Sequence, residues 1–372
     1  MSQVVNRPKE YWAIKYRLAI LETLYFVVLI IGAGVFKITP AFFSWAQHAF
    51  RAYPIAFIFY FSSLIITYNF LNFPFSFYHS YRLEHNFGLS NQNFRSWLLD
   101  YFKQTALSSI ISLILLSVFY AAVSYFQYTW WIWVAVFWIL FSLFLAKLVP
   151  IIIIPLFYKT SPISDEPLKK RIVLLAEKLN IKLIDVFEIE LSKKTLKANA
   201  AFTGLGKTRR VLLGDTLKDK YTQNEIELIV AHELAHFHYR HIWKLISINA
   251  CFITGSLYLI FRTAAAVTDY LQMESIASPG SFLVLVGYLT GLEIIFTPLK
   301  NFCSCYFERQ ADNLALKLTQ NKESFITMME KLSQQNLSDP SPSFLAKIFF
   351  YDHPPVNERI EAARNFKNRD IS

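Results

Sequence analysis

Ala231-His232-Glu233-Leu234-Ala235-His236 stands just ahead of a long apolar run, His241 to Phe261, and these two stretches decide how the chain is built. Four residues are slightly more than one helical turn, so His232 and His236 share a helix face and can ligate one zinc ion. Glu233 between them can reach a water on that metal. This is the residue set of zinc-peptidase chemistry. An HExxH pattern alone would arise by chance in about five per cent of chains of this length, so its surroundings have to carry the reading.

The surroundings are those of a polytopic membrane protein. Of 372 residues, 54% are hydrophobic and 17% aromatic, and apolar runs near the roughly 20 residues a bilayer requires recur along the chain. Six spans are read: Leu18 to Phe36, Ala52 to Tyr78, Gln104 to Phe126, Trp130 to Phe157, His241 to Phe261 and Ser281 to Leu299. The first is expected to remain as an uncleaved helix, because its apolar run offers no convincing small-x-small cleavage site and Lys37 follows it at once. The expected fold class is therefore mainly α: about six transmembrane helices with a cytoplasmic zinc-peptidase domain that contains a small β element. Four parts are expected: an N-terminal membrane region (1–157), a cytoplasmic part with the HExxH helix (158–240), a transmembrane hairpin (241–299) and a cytoplasmic C-terminal part (300–372).

Counting Lys and Arg outside the spans gives 4, 2, 3, 0, 15, 1 and 10 from N- to C-terminus. High and low counts alternate as the positive-inside rule requires when both termini and the HExxH segment are cytoplasmic. The net charge of +10 then reflects loops facing the anionic headgroups of the lipid bilayer. No basic, aromatic-interleaved stripe supports a nucleic-acid partner. Three cysteines, Cys251, Cys303 and Cys305, form no disulfide framework and no CxxC pair.

The segment Tyr158 to Tyr221 opens with a turn-rich linker, Thr160 to Pro167, followed by an amphipathic helix at Leu168 to Leu179. Strand-like runs follow at Leu183 to Ile189 and Arg210 to Leu213, with Ala198 to Phe202 and a Gly204/Gly206 turn between them. Peptidases often hold substrate as an added strand on such a sheet edge. Thr222 and Glu225 form a capping-box pattern at the start of the HExxH helix. No Pro or Gly follows before Gly255, so that helix is expected to run unbroken into the fifth span. On one continuous ideal helix His238 and His241 would point about 200° and 140° away from His236. They are read as surface or headgroup contacts.

A catalytic zinc needs three protein ligands and an open position. The fifth and sixth spans form a hairpin, which brings Glu308 beside the HExxH helix as the third ligand. Asp312 lies at i+4 from Glu308, placed to orient a ligand histidine through its second ring nitrogen. Pro298 is expected to kink or end the sixth span. Glu293, an acid within that span, is read as lining a cavity, with pairing to Lys244 or Lys147 and zinc ligation as alternatives.

With both metal motifs placed, the chain resembles the type I CAAX prenyl protease family of integral-membrane zinc endopeptidases. The resemblance rests on Phe73 to Tyr78 with Glu84 and Phe87-Gly88, Asn199 to Phe202 with Gly204, and Gly214 to Leu217. It continues through His232 to His236, Glu308 to Asp312, and His353-Pro354-Pro355 with Glu358-Arg359. It implies that Asn199 and Ala200 bind the substrate backbone, that His353 helps stabilise the oxyanion, and that the helices enclose a chamber with the zinc at its cytoplasmic end. Relative to fuller members the chain is expected to lack one membrane helix and a long loop at its N-terminus, which would leave the chamber more open. Ala235 stands where the family usually has Gly, and Ala201 where it has an aromatic. The implied activity is hydrolysis of peptide bonds in peptides or unfolded tails, prenylated or not, with one zinc per chain and Glu233 as general base. The alternatives are a quality-control protease for membrane proteins and a transport or scaffold protein with a vestigial metal site.

Overall fold

The computed structural model describes residues 2–183, 185–204 and 209–367. Among them six helical runs are long and apolar enough to cross a membrane: Arg7–Val35, Tyr53–Asn86, Phe94–Tyr125, Trp130–Phe157, His241–Tyr270 and Pro279–Thr319. Each contains a span read from the sequence or overlaps most of it. A shorter helix, Ile38–Ala49, connects the first two. Their interior is aromatic: Tyr60, Phe61, Phe119, Tyr120 and Trp130 pack against Leu257 and Ile260 of the fifth run.

The small β element has four strands: β1 (Thr160–Pro162), β2 (Asp185–Ile189), β3 (Ala200–Thr203) and β4 (Arg210–Gly214). They lie in the order β1-β2-β4-β3. The pair β2/β4 is parallel with Asp185 opposite Arg210, and both flanking pairs are antiparallel. β1 falls in the stretch read as a turn-rich linker; it pairs with β2 through Thr160 opposite Ile189, a contact that local turn composition cannot reveal. Gly206 and Ile184 lie outside the described residues.

β3 is an edge strand. Its start is held where Gly214 N–H donates to Asn199 O at 2.9 Å. A Cβ at Gly214 would come within 2.8 Å of that oxygen and 2.7 Å of Leu191 Cδ1, so only glycine fits.

Helix Glu166–Lys178 starts where Asp165 accepts from Leu168 N–H. Its Ile172 and Leu175 meet Val186 of β2, Val211 of β4, Leu228 and Val230 of helix Gln223–His238, and Phe325 and Met328 of helix Lys322–Gln335 in one buried core. Helix Gln223–His238 carries the HExxH residues, and its capping box is present: Thr222 accepts from Glu225 N–H while Glu225 accepts from Thr222 N–H. Glu225 is anchored further by Lys331 at 2.7 Å and Thr327 at 2.9 Å.

Three expectations are corrected. The HExxH helix does not run into the fifth span. It ends at His238, Arg240 adopts the left-handed conformation (φ 55°), and a new helix begins at His241. A non-glycine residue takes that conformation at a cost, so the break leaves no Gly or Pro signature. Second, Pro298 does not end the sixth span, since helix Phe282–Thr319 continues through it and carries Glu308. Third, Glu293 pairs with neither Lys244 nor Lys147: its side chain is 61% exposed and pairs with Lys300, seven residues or about two turns further along the same helix, at 2.6 Å.

Candidate metal centre

Helix Gln223–His238 packs along the distal half of helix Phe282–Thr319, which brings His232, His236 and Glu308 face to face. One ligand atom from each lies within 4.8 Å of the others. The two histidine Nε2 atoms are 3.0 Å apart. Glu308 Oε2 is 3.2 Å from His232 Nε2 and Oε1 is 3.2 Å from His236 Nε2.

Each histidine is oriented from behind. His232 Nδ1 donates to Asp312 Oδ1 at 2.9 Å, leaving its Nε2 lone pair aimed at the centre. Asp312 is held in turn by Arg359, whose Nε and Nη2 donate to Oδ2 at 2.8 Å and Oδ1 at 2.6 Å. Behind His236 stands His241. It is 1% exposed, stacks on Phe307 at 4.7 Å between centroids, and places Nδ1 3.0 Å from His236 Nδ1. Gln310 Nε2 donates to Tyr306 Oη at 3.2 Å, so its Oε1 accepts from His241 Nε2 at 3.0 Å. Neutral His241 therefore offers an acceptor at Nδ1. His236 Nδ1 donates to it and keeps Nε2 free for the centre.

His241 thus is not the headgroup contact its helical angle suggested. The left-handed turn at Arg240 swings it back onto His236. His238 stays exposed, as expected. Sequence reasoning also gave Arg359 no role beyond a family mark, although an arginine on a polar tail helix is a usual partner for a buried acid.

The donor set fits a cation. Two imidazole lone pairs and a carboxylate converge, and Glu308 Oε2 is buried without a hydrogen-bond partner among the described residues. Such an oxygen is costly unless a positive charge faces it. Burial alone would depress the His232 imidazole, but its bond to Asp312 and the facing Glu308 carboxylate more than offset this and raise it to about 9. The pocket therefore demands positive charge, which a proton or a metal ion can satisfy.

Glu233 sits beside the ligands, and its Oε2 accepts from Phe202 N–H of β3 at 3.4 Å. In an antiparallel strand the N–H and C=O of one residue point the same way, so Ala200 and Phe202 present their backbone groups to the open edge. Asn199 is exposed at the start of that edge. His353 approaches from the C-terminal part, with Nε2 3.3 Å from Glu308 Oε1 and Nδ1 donating to Asp352 at 2.7 Å. Burial lowers the His353 imidazole, while Asp352 and Glu308 raise it to a net upward shift.

A helical membrane body carrying an HExxH pair, a facing glutamate and an adjacent sheet edge defines a membrane-bound metallopeptidase. Residues 2–159 match the family model described as CAAX prenyl protease N-terminal, five membrane helices, and residues 162–367 match that of peptidase family M48. The chain belongs to peptidase family M48, and it is an integral, multi-pass metalloprotease acting on peptides or proteins. It is 30% identical over 294 residues to an uncharacterized metalloprotease, YhfN, of Bacillus subtilis, covering 77% of this chain and 68% of that protein. CAAX prenyl protease 1 of Saccharomyces cerevisiae is 30% identical over 311 residues, with 78% and 68% covered. The human CAAX prenyl protease 1 homolog is 26% identical over 343 residues, with 79% and 70% covered. Among solved structures, the crystal structure of S. mikatae Ste24p superposes with a TM-score of 0.87 over 98% of this chain and 90% of that one, at 23% identity, which shows the shared fold.

Proposed function

We propose that this protein is a zinc-dependent endopeptidase in which His232, His236 and Glu308 hold the metal and Glu233 is the general base. The observation that carries the reading is the convergence of those three donors, with Asp312 and His241 each bonded to the rear nitrogen of one histidine. Zinc held there would supply Lewis acidity to the scissile carbonyl and to the attacking water. Glu233 accepts the proton of that water and passes it to the leaving amine. An extended peptide adds to the edge of β3 by pairing with Ala200 and Phe202, and Asn199 fixes its backbone at the strand's start. His353, anchored on Asp352, donates to the developing oxyanion.

The deciding assay measures metal content and cleavage together in detergent-purified protein, using a prenylated peptide beside its unprenylated twin. Prenylated substrates are what the names of the yeast and human relatives point to. Stoichiometric zinc with cleavage of either twin is expected. Zinc without any cleavage would remove the peptidase assignment, and equal rates on the twins would remove the preference for prenyl groups.

Asp312→Ala and His241→Phe should each weaken zinc affinity by about 10 to 100-fold, since outer partners of ligand histidines act on that scale. His241→Phe keeps the aromatic stack on Phe307 while deleting the bond to His236. Chelator competition reads the effect, and unchanged affinity in both variants would leave these contacts without a role at the metal.

The alternation of basic residues supports a cytoplasmic location for both termini, the 158–221 segment and the site. Cysteine labelling in oriented vesicles checks this. External labelling within 158–221 would invert the topology.

A further inference from the structure

Among the described residues beyond 320, every large apolar side chain that stands exposed belongs to one short helix, Phe344–Phe350. Phe344 is 76% and Leu345 66% exposed, with Phe349 and Phe350 also open. Water-facing helices do not normally expose such a cluster, and Ala346 is the residue this helix buries against the protein.

The height of the helix relative to the membrane body is fixed by two independent contacts. Asn301 Nδ2 donates to Ile348 O at 2.8 Å, and Asn301 follows Lys300 at the polar end of the sixth apolar stretch. The Phe350 ring lies 4.8 Å from that of Tyr16, and Tyr16 stands between Lys15 and Arg17 where the first apolar stretch begins. Trp12 adds a third level marker by packing on Tyr351 at 5.7 Å. Basic residues with Trp and Tyr are what flank spans at the membrane–water boundary. The helix therefore lies at that boundary, and its outward face continues the apolar surface of the spans.

We propose that Phe344–Phe350 is an interfacial anchor whose Phe344, Leu345 and Phe349 side chains sit at the headgroup–acyl boundary of the bilayer. The polar run Ser338 to Ser343 leads into it, and Ser343 caps it by accepting from Ala346 N–H at 3.3 Å. At its other end the chain is pinned where the Cys305 thiol donates to Tyr351 O at 3.7 Å, and Asp352 and His353 follow at once. Seating in lipid thus sets the height from which His353 reaches the metal centre. Neither the metal's identity nor the side of the membrane enters this inference.

The test uses the full-length protein in vesicles of phosphatidylcholine and phosphatidylglycerol. Phe344→p-benzoylphenylalanine is irradiated and the C-terminal peptide is weighed by mass spectrometry. A Glu323→p-benzoylphenylalanine protein is the comparison, because Glu323 is exposed on the helix that packs into the peptidase core. Lipid adducts at residue 344 and none at 323 are expected. A lack of lipid adducts at 344 would mean a water-facing helix, and adducts to a second protein chain would mean a contact between copies; either overturns the proposal. Phe344→Asp combined with Leu345→Asp should keep metal content and lower kcat several-fold in vesicles. An unchanged kcat would overturn the link between the anchor and His353.

Discussion

Glu233→Gln should keep the metal and lose peptide cleavage by about a hundred- to ten-thousand-fold, the scale on which a positioned general base contributes. Gln has the shape of Glu and can still accept from Phe202 N–H, which the wild-type carboxylate does at 3.4 Å. The β3 edge and the HExxH helix should therefore stay in register. What Gln cannot do is take a proton from water at neutral pH. Because Glu233 is not among the three converging donors, metal content should match the unmodified protein. The measurement is metal analysis beside a single-turnover cleavage assay on one preparation. A metal-loaded Gln variant that retains substantial turnover would remove Glu233 as the base and shift attention to His353, the other proton-carrying group at the centre.

The sequence carried the parts of this structure that depend on local pattern. Six apolar stretches, a capping box at Thr222 and an HExxH pair at helical spacing are all short-range signals, and the structure contains each of them. Glu308 and Asp312 were legible by one further step, because a hairpin of two spans has to return the chain to the helix it left. The features that escaped were non-local or chemically silent. Arg240 adopts a left-handed conformation that glycine usually marks, so nothing announced the break that turns His241 onto His236. Arg359 reaches Asp312 across 47 residues, and a three-residue strand such as β1 exists only through its partner. Glu293 finds its partner not on another span but in Lys300 at i+7, which lies one residue past the apolar run and about two turns along the same helix, a pairing that span-by-span reading does not look for.

Glu293 and Glu308 stand on one helix, which makes the second large effect decisive between two carboxylates. Glu308→Ala should reduce metal occupancy to a small fraction of the unmodified protein, because two imidazoles alone leave the centre short of a ligand and of negative charge. Glu293→Ala should leave occupancy intact, since its carboxylate is engaged with Lys300. The fold should survive Glu308→Ala. Helix Phe282–Thr319 is a strong helix on both sides of the position, with Ala311, Ala315 and Leu316 buried beyond it, and alanine favours helix. The change also removes the buried oxygen that has no hydrogen-bond partner among the described residues. Such a loss of function without loss of stability is what a metal ligand, as opposed to a packing residue, should show. Occupancy measured by elemental analysis, with helicity followed by circular dichroism, separates the cases. Full occupancy in Glu308→Ala with loss in Glu293→Ala would move the third ligand about four turns back along the same helix and undo the assignment of the centre.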